Sequence, residues 1–315
     1  MAVTAKEVNE LRKKTGAGMM DCKKVLTETN GDFEEAAKLL KERGLAVAAK
    51  KADRITAEGL VDIITEGSDP NAMTAAMIEV NAETDFVVKN ELFREFVRGC
   101  ASVVLKEQPA DAEELLNKQF SDGSGNTVDI ALKNLIAQIK ENITIRRFVT
   151  VEGSLSTYIH NKGTIGVIVK ADADEKVAAD PGFAEFKKNL ALQIASMGAD
   201  YIVRDDVPAS VIENERAQIL EEIKEDPDNA KKPENVIEKM VEGRIRKFYE
   251  NKCLLEQGYV KEDKMTVAEY IAGYGRQTGG AVKVAEFHRY EKGEGIQKRE
   301  ENYAEEIAKL TGQAK

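Results

Sequence analysis

The chain is 315 residues long, 42% apolar and 32% charged, with a formal net charge of −10. That length supports two or three domains with sizeable cores, while the acid excess argues against broad capture of nucleic acid, which needs surplus Lys and Arg at the surface. No apolar run reaches the roughly 18 residues of a membrane span, and the start, MAVTAKEVNELRKKTG, lacks the apolar core and cleavage site of a secretory signal.

Residues 4–44 read as three short helices. Thr4 and Glu7 form a capping box ahead of an apolar stripe that begins at Val8 and Leu11. TGAGMMD (15–21) breaks the chain, and a second helix runs from about Asp21 to Thr29. Asn30-Gly31 is a turn, and Asp32 caps a third helix with Ala36, Leu39 and Leu40 on one face, ended by Gly44. AVAAKKADR (46–54) reads as a linker or helix tail. Residues 1–55 hold 12 basic and 9 acidic side chains, a net of +3 against −10 for the whole.

A hairpin follows. Gly59–Thr65 and Thr74–Glu83 alternate with period two, placing Ile78, Val80 and Ala82 on one face and Glu79, Asn81 and Glu83 on the other. One polar face predicts an antiparallel sheet covered on one side. ETDFVVKN (83–90) then joins a strand to a helix, with Asp85 and Phe86 side by side at the junction. Helices are expected over Asn90–Leu105, Ala110–Phe120 and Val128–Glu141.

The pattern then recurs. Phe148–Ile159 and Gly163–Ala171 read as a second hairpin joined at HNKG, followed by a helix with Phe183, Phe186, Leu190 and Ile194 inward. The string FREF (93–96) returns as FAEF (183–186), after a hairpin each time. Two similar α+β halves are expected, each a small antiparallel sheet with helices on one face. Residues 208–252 interrupt the second half. Ile212, Ile219 and Ile223 on one helix face Ile237, Met240, Val241, Ile245 and Phe248 on its return, an antiparallel helical hairpin. The end reads as a helix (Thr266–Gly273), a glycine-rich loop GYGRQTGG (273–280), a strand (Ala281–Tyr290) and a last helix over about Glu301–Leu310. The domain boundaries expected are 1–55, 56–143, 144–290 with 208–252 inserted, and 291–315.

Groups for bond chemistry are scarce. His160 and His288 stand in no metal-binding spacing, and Cys22, Cys100 and Cys253 form no CxxC pair and read as reduced thiols. TGAGMM and GYGRQTGG lack the spacing and flanking elements of a phosphate-binding loop, and neither GxxxxGK[ST] nor GxSxG occurs. No metal, cofactor or nucleotide bound by the chain itself is expected. The carboxylates read as solvated surface, and the sequon Asn142-Ile-Thr144 as a chance match. What stands out is apolar side chains at turns. Met19 and Met20 are adjacent at a helix mouth, so both cannot easily point inward; core packing of one and a binding surface are both open. Phe86 is either a staple over the sheet end or a binding group.

At TGAGMMDCKK (15–24), ETDFVVKN (83–90), NITIRR (142–147) and KMVEGRIRKF (239–248) the sequence resembles the bacterial elongation factor Ts family, over nearly its whole length. The resemblance implies an α+β fold: a three-helix ubiquitin-associated-like domain, two similar α+β subdomains with small antiparallel sheets, an inserted antiparallel helical hairpin and a C-terminal helix. It implies a cytoplasmic guanine nucleotide exchange factor for elongation factor Tu, acting by binding, with neither bond chemistry nor direct contact with nucleic acid or membrane. Thr84, Asp85, Phe86 and Val87 would enter near the partner's magnesium and phosphate site, with Phe86 as a wedge. Arg12, Met19 and Met20 would dock the helical domain on the partner's nucleotide-binding domain, and segments near His160 and Tyr303–Leu310 would add contacts. The family string often carries Ala where Val88 stands. One-to-one assembly and a dimer of heterodimers both stay open. A scaffold that binds through its N-terminal helices without exchange is the alternative; it gives Phe86 no purpose.

Overall fold

A computed structural model describes residues 3–229 and 232–297. The helix expected over Glu301–Leu310 and the contacts at Tyr303–Leu310 lie outside the described residues. The chain mixes helices with small antiparallel sheets behind an N-terminal helical region. Its described residues form two compact units, one within Met1–Leu60, Ile78–Phe148 and Lys292–Lys315, the other within Val61–Met77 and Val149–Glu291.

The first unit opens with α1 (Ala5–Thr15), α2 (Met19–Glu28) and α3 (Phe33–Ala49). Thr4 and Glu7 cap each other: the Glu7 amide donates to Thr4 Oγ1 at 3.3 Å and the Thr4 amide to the Glu7 carboxylate at 2.7 Å. Gly16, at φ 69°, ends α1 with a left-handed cap. Val8, Leu11, Cys22, Val25, Leu26, Ala36 and Leu40 close a core among the three helices. Two boundaries differ from expectation. α2 starts at Met19, so both methionines lie in its first turn. α3 does not stop at Gly44, which is buried inside it. A Cβ there would stand 3.6 Å from Asn134 Oδ1, an ordinary contact, so Gly44 is an interior helix position and not a cap.

Next come β1 (Glu58–Glu66), β2 (Met73–Ala82), α4 (Asp85–Val88), α5 (Glu91–Glu107), α6 (Ala112–Asn117), α7 (Val128–Ile139) and β3 (Ile143–Gly153). The strands pair in the order β1-β2-β3, and the boundary between the compact units falls within all three. The expectation of a solvated polar face on β2 is overturned. Every residue from Ala75 to Ala82 is buried, Glu79 and Asn81 completely. Pairing on both edges places β2 in the middle, and the Glu79 charge is compensated locally. Arg146 Nη1 approaches its carboxylate at 2.9 Å and Arg147 Nε at 2.6 Å, and the Gly293 amide donates to it at 2.8 Å.

The second unit holds β4 (Leu155–His160), β5 (Ile165–Ala173), α8 (Glu175–Ala178), α9 (Phe183–Met197), α10 (Ala209–Glu225), α11 (Glu234–Lys252), β6 (Gly258–Tyr259), β7 (Glu262–Thr266), α12 (Val267–Thr278) and β8 (Val282–Glu291). The strand expected over Phe148–Ile159 breaks at Ser154, and its two parts enter different sheets. Lys187, only 1% exposed, fixes that break. Its ammonium donates to Ser154 Oγ and to the Pro70 carbonyl, both at 2.8 Å, and lies 4.7 Å from the Phe183 ring centre. Burial lowers its pKa.

The second sheet runs β4-β5-β8, antiparallel throughout, with Leu155 opposite Lys170 and His160 opposite Ile165 across the first pair. Val167, Val169 and Ala171 pack against Phe183, Phe186, Leu190 and Ile194 of α9. The expected helical hairpin is α10 with α11. Ile219, Ile223, Val241 and Ile245 make its narrow seam, flanked by the ion pairs Arg216–Glu242 at 2.7 Å and Arg244–Glu222 at 2.9 Å. GYGRQTGG is not a loop from Gly273. α12 runs through Gly273 and Gly275 and ends only at Gly279, at φ 73°.

Candidate functional site

Thr84 has extended backbone and starts α4, a single turn of helix between β2 and α5. The same order recurs as β5, α8 and α9, and the buried phenylalanine pairs Phe93/Phe96 and Phe183/Phe186 head the two long helices. In each short helix the third residue, Val87 or Val177, is buried and anchors the turn. The second residue is Phe86 in one and Lys176 in the other, and both are exposed. Phe86 is 75% exposed, so its ring is neither a staple nor a cap over the sheet. The turn forms equally well with a lysine at that position, so folding does not require the phenyl group.

The surroundings of Phe86 hold the backbone and leave the ring free. Thr84 is half-buried; its amide donates to Glu141 Oε2 at 2.9 Å and its hydroxyl to Glu141 Oε1 at 2.7 Å. One residue back, the Glu83 carboxylate accepts the Asn142 amide and pairs with Arg54 at 3.2 Å. Asp85 is exposed and paired to Lys89 at 2.9 Å, and the Lys89 ammonium also lies 5.3 Å from the Phe86 ring centre. The hydrogen bond from Lys89, aided by the charges of Lys89 and Lys292, holds the Asp85 carboxyl below its ordinary pKa, so it is ionised at neutral pH. The exposed tip therefore presents an apolar ring beside a carboxylate. Of the expected site residues here, Asp85 and Phe86 face outward, while Val87 is core.

Arg12 is exposed in the last turn of α1, and Met19 and Met20 are 50% and 75% exposed at the start of α2. Neither methionine joins the helical core; Cys22, Val25 and Leu26 fill that role. Two exposed thioethers at a fixed helix mouth make an adaptable apolar surface. α7 ties this mouth down: the Asn134 amide group donates to the Thr15 carbonyl at 2.8 Å, and Gln138 donates to the Gly16 carbonyl. Lys51 from beyond α3 donates to the Lys140 carbonyl at 2.6 Å. The end of α7 thus holds the α1–α2 turn through Asn134 and Gln138, and the α4 turn through Glu141.

These supporting residues carried no signal in the sequence. Glu141 is one of 56 acidic residues, and nothing in its spacing marks it. His160 stands exposed at the end of β4, where its Nδ1 lies 3.0 Å from the Tyr158 hydroxyl. Among the described residues no group of three or more His, Cys, Asp or Glu is placed to hold a metal, and no helix is long and apolar enough to cross a membrane.

The family model described as Elongation factor TS matches residues 83–294, a stretch that opens on the Glu83 of ETDFVVKN. The chain belongs to the elongation factor Ts family. A relative named elongation factor Ts from Symbiobacterium thermophilum is 46% identical over 98% of both chains. Its counterpart from Clostridioides difficile is 45% identical over 98% of both, and that from Trichlorobacter lovleyi 41% identical over 99% of both. The similarity to elongation factor Ts proteins therefore takes in the N-terminal helices as well as the residues the family model matches, and it makes this a translation elongation factor.

Proposed function

We propose that the chain is a guanine nucleotide exchange factor for elongation factor Tu, releasing GDP by disturbing the partner's magnesium and phosphate site. The observation that carries this reading is Phe86. An exposed phenyl ring stands on a turn whose counterpart carries a lysine, beside an ionised carboxylate, with the preceding Thr84 bonded to Glu141. Phe86 enters an apolar gap of the partner, and Asp85 displaces groups around its cation and phosphates. Val87 and Thr84 contribute from behind, by holding the turn. Residues 1–55 dock through Arg12, Met19 and Met20, and the second core half 144–290 near His160 and the module 291–315 near Tyr303–Leu310 add contacts. The factor acts in the cytoplasm by binding alone.

The energetics follow from linkage. A factor that weakens the partner's hold on GDP is itself held less tightly when GDP is bound, by the same ratio. Each tenfold loss of nucleotide affinity takes about 1.4 kcal/mol of binding energy.

Stopped-flow release of a fluorescent GDP from elongation factor Tu tests the reading. Substoichiometric factor should accelerate release with turnover; complex formation without acceleration would leave only a scaffold. Phe86→Ala should slow maximal release about tenfold or more while weakening the nucleotide-free complex less than about threefold, because a wedge acts chiefly against the nucleotide-bound state. Equal loss of both would reduce Phe86 to an ordinary contact.

A further inference from the structure

The α4 turn is held from outside by a reciprocal staple. On one side of it, the Glu141 carboxylate accepts both the amide and the hydroxyl of Thr84. On the other, the Glu83 carboxylate accepts the amide of Asn142. Two consecutive residues at the end of β2 are thereby locked to two consecutive residues after α7, each pair through one carboxylate and one backbone N–H. Asn142 is buried and donates to the carbonyls of Ala52, at 3.2 Å, and Arg54, at 2.8 Å, so the anchoring side of the staple is itself fixed.

Elsewhere on the turn Arg94 Nε donates to the Val88 carbonyl at 3.0 Å, and Lys89 pairs with Asp85 at its surface. α4 is four residues long, has no side-chain cap bond from Thr84, and buries only Val87. The Thr84 hydroxyl turns to Glu141 and makes no cap bond to the helix. A single helical turn has no intrinsic stability in water, so its conformation depends on its flanks. In the equivalent turn at α8, one backbone bond and one carboxylate do this work: the Asp174 amide donates to the Ala281 carbonyl at 3.0 Å, and the Ala281 amide donates to Asp174 Oδ2 at 2.6 Å. At α4 the carboxylate comes from a distant residue: Glu141 accepts from both the amide and the hydroxyl of Thr84, two residues before Phe86.

We propose that Glu141 is a positioning residue for nucleotide exchange: its carboxylate presets the Thr84–Phe86 turn so that the phenyl ring reaches the partner without an ordering cost. The inference rests on the exchange reading above. Without the staple the turn samples other conformations, and the fraction that presents Phe86 correctly falls. The loss appears in the step the ring serves, in proportion to that fraction.

The test is a double-mutant cycle in stopped-flow GDP release from elongation factor Tu, using the full chain. Wild type, Glu141→Ala, Phe86→Ala and the double variant are compared for maximal release rate, half-saturation and thermal unfolding. Glu141→Ala should lower the maximal rate about tenfold with half-saturation changed less than about threefold. Glu141→Gln keeps one carbonyl acceptor for Thr84 and should recover most of that loss. The double variant should release GDP no more slowly than Phe86→Ala alone, since a positioning residue has nothing left to position. A residue that merely stabilises the fold would give losses that multiply, in step with the melting temperature, and that result would overturn the proposal. So would a Glu141→Ala protein as fast as wild type. If Glu141→Ala does not fold, the same cycle with Glu141→Gln decides: a small loss that vanishes in the Phe86→Ala background supports positioning, and one that persists refutes it. Failure of the wild type to accelerate release would instead remove the exchange reading itself.

Discussion

Two neighbouring residues with similar hydrophobicity take opposite fates at the α4 turn. Val87 is buried and Phe86 is three-quarters exposed. Burial of Val87 stabilises the turn by about 1.5–2 kcal/mol, whereas the larger ring contributes almost nothing to folding where it stands. Phe86→Ala should therefore melt within about 2 °C of wild type, and a larger drop would restore the staple reading. Glu79 shows the reverse case, a polar residue that periodicity sends to solvent and pairing sends inside. Removing its carboxylate takes an acceptor from Arg146, Arg147 and the Gly293 amide, while both arginines keep their bonds to Glu294. Breaking a fully buried pair costs about 3–5 kcal/mol, and since both arginines keep some solvent access, Glu79→Ala should cost about 2–3 kcal/mol. Urea unfolding measures it; a change below about 1 kcal/mol would mean that water replaces the carboxylate freely.

At the scale of elements, glycine separates reading from structure. Gly44 and Gly273 each suggest the end of a helix, and both lie within one, as does Gly275 in the stretch read as a loop. The missing signal is tertiary. Gly44 is buried inside α3 with room for an ordinary contact to Asn134, whereas a Cβ on Gly275 would meet the Gly280 carbonyl oxygen at 2.8 Å. Local propensity says that Gly275→Ala should stabilise α12 by about 1 kcal/mol. The close approach reverses that sign: overpacking of this kind costs about 1–3 kcal/mol, so the variant should melt lower than wild type. A higher melting temperature would show that the Gly279–Gly280 turn yields easily. Caps, by contrast, are legible. The Thr4–Glu7 box and the Asp32 cap form where the spacing places them, because each is closed by residues no more than three apart.

For the whole molecule, the two compact units are assembled from interleaved segments, and the chain passes from one to the other inside strands β1, β2 and β3. No single cut isolates either unit, so neither is a contiguous stretch that sequence reading could have marked. The thiols report on this directly. Cys22, Cys100 and Cys253 are all buried, and burial raises the pKa of each, that of Cys253 to about 11. Ellman's reagent at pH 8 should find almost no reactive thiol in the native protein and three after denaturation in urea. One fast thiol in the native state would identify a unit that opens on its own.

The sequence by itself determined the order of the longer helices and strands, the three-helix start and the hairpin insertion, while it left Phe86 open between a staple and an exposed group, which the structure decided. Those elements depend on periodicity and on contacts a few residues apart. Only the tertiary structure decided that Glu79 and Asn81 are buried, that the strand breaks at Ser154, and that Glu141 holds the turn bearing Phe86. Each of these joins residues 33 to 68 positions apart, or, at Gly293, more than 200. A carboxylate among 56 acquires meaning only when folding brings one amide and one hydroxyl within 3 Å of it.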